Sequence, residues 1–256
     1  MDVNPNKSIY RDSYVPSQLE LAPRTGYDRK VMELRFDLLG RHCQDRRVLD
    51  LCCGTGAYLT RLMGQVDSIV GLDFSRTMLQ ALAEHLHARE GAERVNLVEG
   101  DATALPFAAA SFDTVFSMAS LYHVPHAERA IAEVARVLRP GGVAILDLGN
   151  TMSLATLTGM VSHRFFGWAR PYPMSYKTIL RTIAGSGLSV EEHLSFQILP
   201  LFGPRWVQLL LPFSASVFKY PLGITVRGRL LDSLVSGLPF LRRFAFRHLF
   251  VLRKTT

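Results

Sequence analysis

Cysteine is scarce in this chain: three in 256 residues, at Cys43, Cys52 and Cys53. None falls into a repeating framework, which excludes a disulfide-stapled scaffold and suits a reducing compartment. Cys52 and Cys53 adjoin on an extended segment, so their side chains point to opposite sides and cannot clip one metal ion. The histidines occur singly, or as His85 and His87 on different sides of a helix, so no metal site is expected. Long charge-free apolar runs are missing as well. The stretch 206–218 is shorter than a membrane span and contains Pro212. The opening MDVNPNKSIYRDSY lacks the basic-then-apolar layout of a secretory signal. These absences make a cytoplasmic protein the expectation, with peripheral membrane contact left open.

Two nucleotide signatures are absent too. No G-x-x-x-x-G-K-[ST] string occurs, and after Gly54 and Gly56 the third glycine of G-x-G-x-x-G would fall at Leu59. What stands there instead is an apolar run, Val48 to Leu51, that ends in the bend Cys52-Cys53-Gly54-Thr55-Gly56 and leads into a short amphipathic helix. Such a bend brings bare backbone N–H groups to a small ligand at the carboxyl end of a parallel strand. A second strand, Ser68 to Leu72, ends in Asp73, placed to take both hydroxyls of a ribose. The bend opens with an acid, Asp50, which suits a cationic ligand rather than a phosphate. S-adenosylmethionine, with its sulfonium and α-ammonium groups, fits that electrostatic pattern.

A hydrophobic fraction of 48% and a charged fraction of 20% fit a folded globular chain, and 256 residues allow one large α/β core or a core plus an insertion. The net charge of +7 is uneven. From Pro200 to Thr256 there are nine basic residues and one acid, Asp232, so the excess belongs wholly to that segment.

Strands expected at 48–51, 69–72, 95–98, 114–116 and 143–148 alternate with helices at 56–63, 75–90 and 127–138, preceded by a helix over 27–39. That alternation calls for a mostly parallel sheet with helices on both faces. Residues 150–173 carry Gly159, Gly167, Pro171 and Pro173 and read as a loop with one short helix. A helix over 175–186 and a strand over 188–198 follow.

With these pieces in order, residues 27 to 150 resemble the class I S-adenosylmethionine-dependent methyltransferases, most closely the group of ubiquinone/menaquinone and other small-molecule methyltransferases. The family writes its first motif D-x-G-x-G-x-G; here Cys52 replaces the first glycine. The resemblance extends through Asp73-Phe74-Ser75, Gly100-Asp101-Ala102, Leu105-Pro106-Phe107, Phe112 to Ser117 and Leu138-Arg139-Pro140-Gly141-Gly142. It implies an α/β, Rossmann-like, seven-stranded, mostly parallel sheet whose last strand, 246–253, is antiparallel. It further implies a domain plan of N-terminal lid (1–26), core (27–198), apolar basic insertion (199–245) and final strand (246–256).

By the same resemblance S-adenosyl-L-methionine is the cofactor, held by Asp50, Cys52, Gly54, Thr55, Gly56, Asp73, Phe74, Met78, Asp101, Ala102 and Ser117. The acceptor should meet the methyl group beyond the fourth strand. His123 is the candidate base there, its intrinsic pKa near 6.5, with a structural histidine as the competing reading. Tyr122, His163, Tyr172 and Tyr176 are candidates to line the acceptor cavity; Tyr14, with Tyr10 and Tyr27, closes over it or the cofactor.

Acceptor classes narrow by what is missing. The D/N-P-P-Y/F string of amino-directed DNA methyltransferases is absent after the fourth strand. All cysteines precede residue 54, which excludes the nucleophile of cytosine-C5 enzymes. No aromatic-basic RNA module is present. A small, hydrophobic or lipid-like metabolite is therefore expected, with O-methylation favoured over N or C. A non-catalytic cofactor-binding protein acting through its basic C-terminal surface is the rival. Residues 199–245, with Leu230, Leu231, Leu234, Val235 and Leu238 at helical spacing, read as a cap over the pocket, as a dock for an anionic membrane, or as a nucleic-acid surface.

Overall fold

The computed structural model describes residues 6, 26–167, 169–198, 225–227 and 229–255. Seven strands form one sheet: β1 (Arg47–Leu51), β2 (Ser68–Asp73), β3 (Val95–Glu99), β4 (Phe112–Ser117), β5 (Leu138–Gly149), β6 (Leu188–Phe196) and β7 (Arg247–Lys254), in the order β3-β2-β1-β4-β5-β7-β6. Neighbours from β3 to β5 run parallel, while β7 lies antiparallel between β5 and β6. The expected Rossmann-like architecture, including the antiparallel last strand, is the one observed.

Chain order reverses between β1 and β4, so a crevice opens beyond their carboxyl ends, where open α/β sheets hold ligands. The strands are nearly continuous apolar runs because both faces are covered. On one face, α4 (Ala127–Val137) contributes Ala130, Ile131 and Val134, and α6 (Tyr176–Gly185) contributes Ile179 and Ile183. On the other lie α1 (Gly26–Cys43), with Val31, Leu38 and Leu39, the short α2 (Leu59–Leu62) and α3 (Arg76–Leu86). The i, i+3, i+4 spacing of the α4 residues puts them on one stripe, and each fully buried Leu, Ile or Phe stabilises by ~1.5–3 kcal/mol. Cys52 packs with the first layer and Cys53 with the second, so they lie on opposite sides although Cys52 is left-handed (φ +61°) rather than extended.

Two regions differ from the sequence expectation. The segment after β5, expected as a loop with one short helix, holds a helix of 13 residues, α5 (Leu154–Phe166). Ser153 caps it by accepting the Thr156 N–H at 3.0 Å, and Gly167, at φ +67°, ends it in the left-handed conformation. The glycines and prolines therefore flank or tolerate a helix rather than preventing one.

The apolar stripe expected from Leu230 to Leu238 is the second correction. The helix there, α7 (Leu231–Ser236), buries Asp232 and Ser236, while Leu238 is 54% exposed. Asp232 is held inside because its oxygens accept from the Tyr27 hydroxyl, the Gln197 N–H and the Ser236 hydroxyl. A buried carboxylate supplied with three donors stays in place. Tyr27 is thereby fixed in the body of the protein rather than closing over the cofactor. Residues 199–224 and most of the N-terminal 26, including Tyr10 and Tyr14, lie outside the described residues.

Candidate active site

The bend after β1 is shaped by three left-handed residues: Cys52 at φ +61°, Gly54 at +54° and Gly56 at +76°. A Cβ on Gly56 would stand 2.3 Å from Leu82 Cδ1, so both space and conformation require glycine there. Cys52 occupies a conformation that costs an L-residue about 1–2 kcal/mol, which accounts for the family's glycine at that place.

Asp73 staples the bend to the end of β2. Its Oδ2 accepts the Gly54 N–H and its Oδ1 the Ser75 N–H, each at 2.9 Å. These bonds leave further lone pairs on both oxygens for ribose hydroxyls. Asp50 accepts the N–H of Leu59 at the start of α2, while its Oδ2, fully buried, has no hydrogen-bond partner among the described residues. Burial first, and then the nearby Asp73, pushes the Asp50 carboxyl well above its ordinary range. Burial also raises Asp73, against the N–H groups that favour its charge. Both cysteine thiols are pushed up by burial and by these aspartates. A cationic ligand relieves that repulsion.

The remaining cofactor candidates surround this bend. Thr55 is buried within it, and Phe74 follows Asp73 directly. Met78 is buried without belonging to either apolar layer. Asp101 is exposed and its Oδ1 accepts both the N–H and the hydroxyl of Thr103 at 2.8 Å, while Ala102 behind it is in the core. Ser117, fully buried at the end of β4, has an Oγ with no partner among the described residues. Two orphaned polar atoms, two carboxylates and a bend with room for backbone approach fit a nucleoside bearing positive charge.

The segment after β4 folds against this bend. Ala119, at φ +58°, turns the chain, and the Ser120 hydroxyl donates to the Cys52 carbonyl at 3.2 Å. Tyr122 and His123 then stand side by side, ring centroids 4.0 Å apart. The Tyr122 carbonyl accepts the Tyr172 N–H at 2.6 Å, which brings Tyr172 alongside. The half-buried His123 places Nδ1 3.4 Å from the Arg170 carbonyl. A carbonyl only accepts, so the proton belongs on Nδ1 and the lone pair on Nε2. Burial, and secondarily the Arg247 charge, lowers its pKa to about 4, against the Arg170 contact that raises it. Asn6, 1% exposed, donates to the carbonyls of His123 (3.2 Å) and Arg170 (2.9 Å) and accepts the Arg170 N–H (2.8 Å), so an N-terminal residue seals this corner.

The other two acceptor candidates lie on α5 and α6. Tyr176 stacks on His248 and His193, at 4.7 and 5.8 Å, beneath α6. His163 lies half-buried on α5. A group that sequence reasoning missed lies against Tyr122: Arg247, whose guanidinium sits 4.3 Å over the Tyr122 ring, together with Asp147 and Arg35. The one signal for it was an acid inside the apolar run Val143 to Leu148.

Comparison with known proteins now separates the possible ligands. Residues 48–142 match the family described as "Methyltransferase domain". Residues 48–142 are thus a methyltransferase domain. It is 37% identical over 116 residues to a demethylmenaquinone methyltransferase of Lactococcus lactis subsp. lactis (strain IL1403), a match spanning 44% of each chain. The chain thus spans less than half the length of that relative. Among solved structures, the [4+2]-cyclase SpnF superposes with a TM-score of 0.60 at 19% identity, covering 92% of this chain and 84% of that one. An S-adenosylmethionine-dependent methyltransferase from Mesorhizobium loti gives 0.55 at 17% identity, covering 83% and 93%. These likenesses show the fold. The bend around Asp50 and Asp73 has the donors, acceptors and charge to hold S-adenosyl-L-methionine. No described helix is long and apolar enough to cross a membrane.

Proposed function

We propose that this methyltransferase domain methylates a hydroxyl of a small, apolar metabolite, with His123 as general base. The observation that carries the proposal is the imidazole of His123 beside Tyr122, its Nδ1 3.4 Å from the Arg170 carbonyl, in the segment after β4 that folds against the cofactor bend. The bound cofactor supplies a methyl group made electrophilic by a sulfonium. Asp50, Cys52, Gly54, Thr55, Gly56, Asp73, Phe74, Met78, Asp101, Ala102 and Ser117 are proposed to hold it. Alignment of donor and acceptor accounts for ~7–11 kcal/mol of the barrier.

His123 Nε2 takes the acceptor's hydroxyl proton as the oxygen attacks, then releases it to solvent. A base so lowered in pKa is unprotonated throughout the neutral range. Tyr122 and Tyr172 supply a π-rich wall for the acceptor, each ring stacked by a guanidinium, Arg247 on Tyr122 and Arg170 on Tyr172. That wall suits a ring system of the kind named in the demethylmenaquinone relative. The family match ends at residue 142, ahead of Tyr172 and Arg247, so the acceptor's identity rests on this wall rather than on the match. We further propose that residues 1–26 act as a lid, a role supported by the buried Asn6, and that 199–245 form the cap.

The test is incubation of the full chain with methyl-labelled donor and a lipid-containing extract, followed by His123→Ala. A labelled small product supports methyl transfer; tight cofactor binding with no labelled product in any fraction supports the non-catalytic rival. His123→Ala should lower turnover by about 10²–10⁴ with cofactor affinity kept. Loss of cofactor binding instead makes His123 a structural residue.

A further inference from the structure

Helix α5 is built inside out. Its inward residues are polar: Ser153, Thr156 and Ser162 are all buried. Their hydroxyls are satisfied locally: those of Ser153 and Thr156 donate to the Asn150 carbonyl at 3.2 and 2.6 Å, and that of Ser162 donates to the Thr158 carbonyl at 2.8 Å. Its outward residues are apolar: Leu154 is 41% exposed, Leu157 57%, Met160 55% and Phe165 71%, with Met152 just ahead at 58%. The 3.6-residue period is intact, but its hydrophobic stripe faces away from the protein.

The segment of chain that carries this stripe has charge of one sign. No Asp or Glu occurs from residue 148 to residue 190, a stretch that holds Arg164, Arg170, Lys177 and Arg181. Arg164 ends the stripe with its guanidinium 5.6 Å over the Phe165 ring. The base of the helix adjoins a second patch of the same character. Asn150 Nδ2 donates to the carbonyls of Arg243 (2.6 Å) and Ala245 (2.9 Å). In that patch Leu238 and Phe240 are 54% and 64% exposed, and the Arg243 guanidinium lies 5.1 Å over the Phe240 ring.

We infer that α5 is a membrane-docking face: its apolar stripe enters the headgroup boundary of an anionic bilayer, flanked by Arg164 and Arg243. Apolar area supplies the insertion and arginine the preference for anionic lipid. Water offers no compensation for so continuous a stripe, and a protein partner would have no need of flanking chain free of acids. The inference does not depend on the acceptor's identity, because binding is read with neither donor nor acceptor present.

The experiment is sedimentation of the full chain with phosphatidylcholine vesicles, with and without phosphatidylglycerol. Binding should require phosphatidylglycerol and weaken as salt is raised. Leu157→Glu with Phe165→Glu should lower the partition coefficient by about tenfold or more, with the melting temperature unchanged. Arg164→Glu, which leaves the apolar stripe whole, should weaken binding to the anionic vesicles alone. No binding to anionic vesicles, or equal binding by the double variant, overturns the inference. A double variant that melts several degrees lower also overturns it, because the stripe is then covered by another part of the chain.

Discussion

The Arg247 guanidinium lies 4.3 Å from the centre of the Tyr122 ring, and its Nη1 stands 3.5 Å from Asp147 Oδ1, a carboxylate with no exposure that also binds Arg35. Arg35 reaches on to the Tyr58 hydroxyl at 3.1 Å, and its pKa is raised by Tyr58 and Asp147 against the opposing effect of burial. One buried anion thus separates two buried cations beside the proposed acceptor wall. Asp147→Asn leaves both cations uncompensated and should cost about 3–5 kcal/mol. Arg247→Met leaves the Arg35–Asp147 pair neutral and removes mainly a cation–π contact, about 0.5–2 kcal/mol. Urea melts of the two variants check the order; equal losses would mean that Arg247, not Asp147, holds the group together.

Cofactor affinity should rise with pH. The Asp50 carboxyl is raised by burial and by Asp73, so part of its population is protonated in the empty site, and a bound cation favours the ionised form. Binding S-adenosylmethionine then releases protons, and its Kd falls as pH climbs through that raised pKa. The demethylated product, which lacks the sulfonium charge, should show a shallower dependence. Calorimetry in buffers of different ionisation enthalpy measures the released protons directly; a pH-independent Kd for both ligands counts against the assignment of Asp50.

Positions 52 and 56 share a left-handed backbone but differ in what surrounds them. At Cys52 a side chain already bears the strain, so Cys52→Gly should leave stability within about 1 kcal/mol of the parent, relief of strain offsetting the lost packing. Gly56→Ala meets Leu82 as well as the strained φ, and should lose about 2–3 kcal/mol together with cofactor affinity. Thermal melts with and without S-adenosylmethionine check both. A tolerated Gly56→Ala would show that the bend is laxer than its geometry indicates.

How legible was this in the sequence? Asp50 and Asp73 were, because each closes a strand at a spacing that parallel βαβ geometry imposes, and the glycines between them mark the bend. Asp147 and Arg247 were not, because their meeting depends on β7 entering the sheet between β5 and β6, a non-local pairing that no local pattern encodes. Helix α5 was expected only as a short helix within a loop, for a different reason. Its buried residues are Ser and Thr, so the apolar period that identifies a helix points outward, and Gly159 and Gly167 read as loop punctuation. Asp232 reversed the expected face of α7 in the same way, three donors outweighing the tendency of carboxylates to stay in water.

The base proposed for methyl transfer carries its own kinetic signature. With the His123 pKa lowered to about 4, chiefly by burial, kcat/KM should show no acid limb from His123 between about pH 5.5 and 7.5. A limb near 6.5 would indicate an imidazole open to water in the working enzyme. A solvent-exposed His123 would then lose its claim to a tuned base.

Stability should begin to fall with acid at a higher pH than carboxylates alone would cause. His193 Nε2 and His248 Nδ1 lie 3.0 Å apart, an arrangement that holds one proton between two neutral rings and is broken when both charge. Burial is the largest cause lowering their values, to about 3 for His193 and about 4 for His248. Above the unfolded value near 6.5 neither state binds the extra proton, so stability is level there. Below it the unfolded chain takes up protons that the folded one refuses, and stability declines until the folded values are reached. For the fully buried His248 the full loss is on the order of 3 kcal/mol. His248→Phe, which keeps the stack with Tyr176 and Phe250, should flatten the decline between about pH 6.5 and 4 relative to the parent. Urea unfolding at stepped pH measures it, and parallel curves for parent and variant would show that the histidine pair does not carry the acid sensitivity.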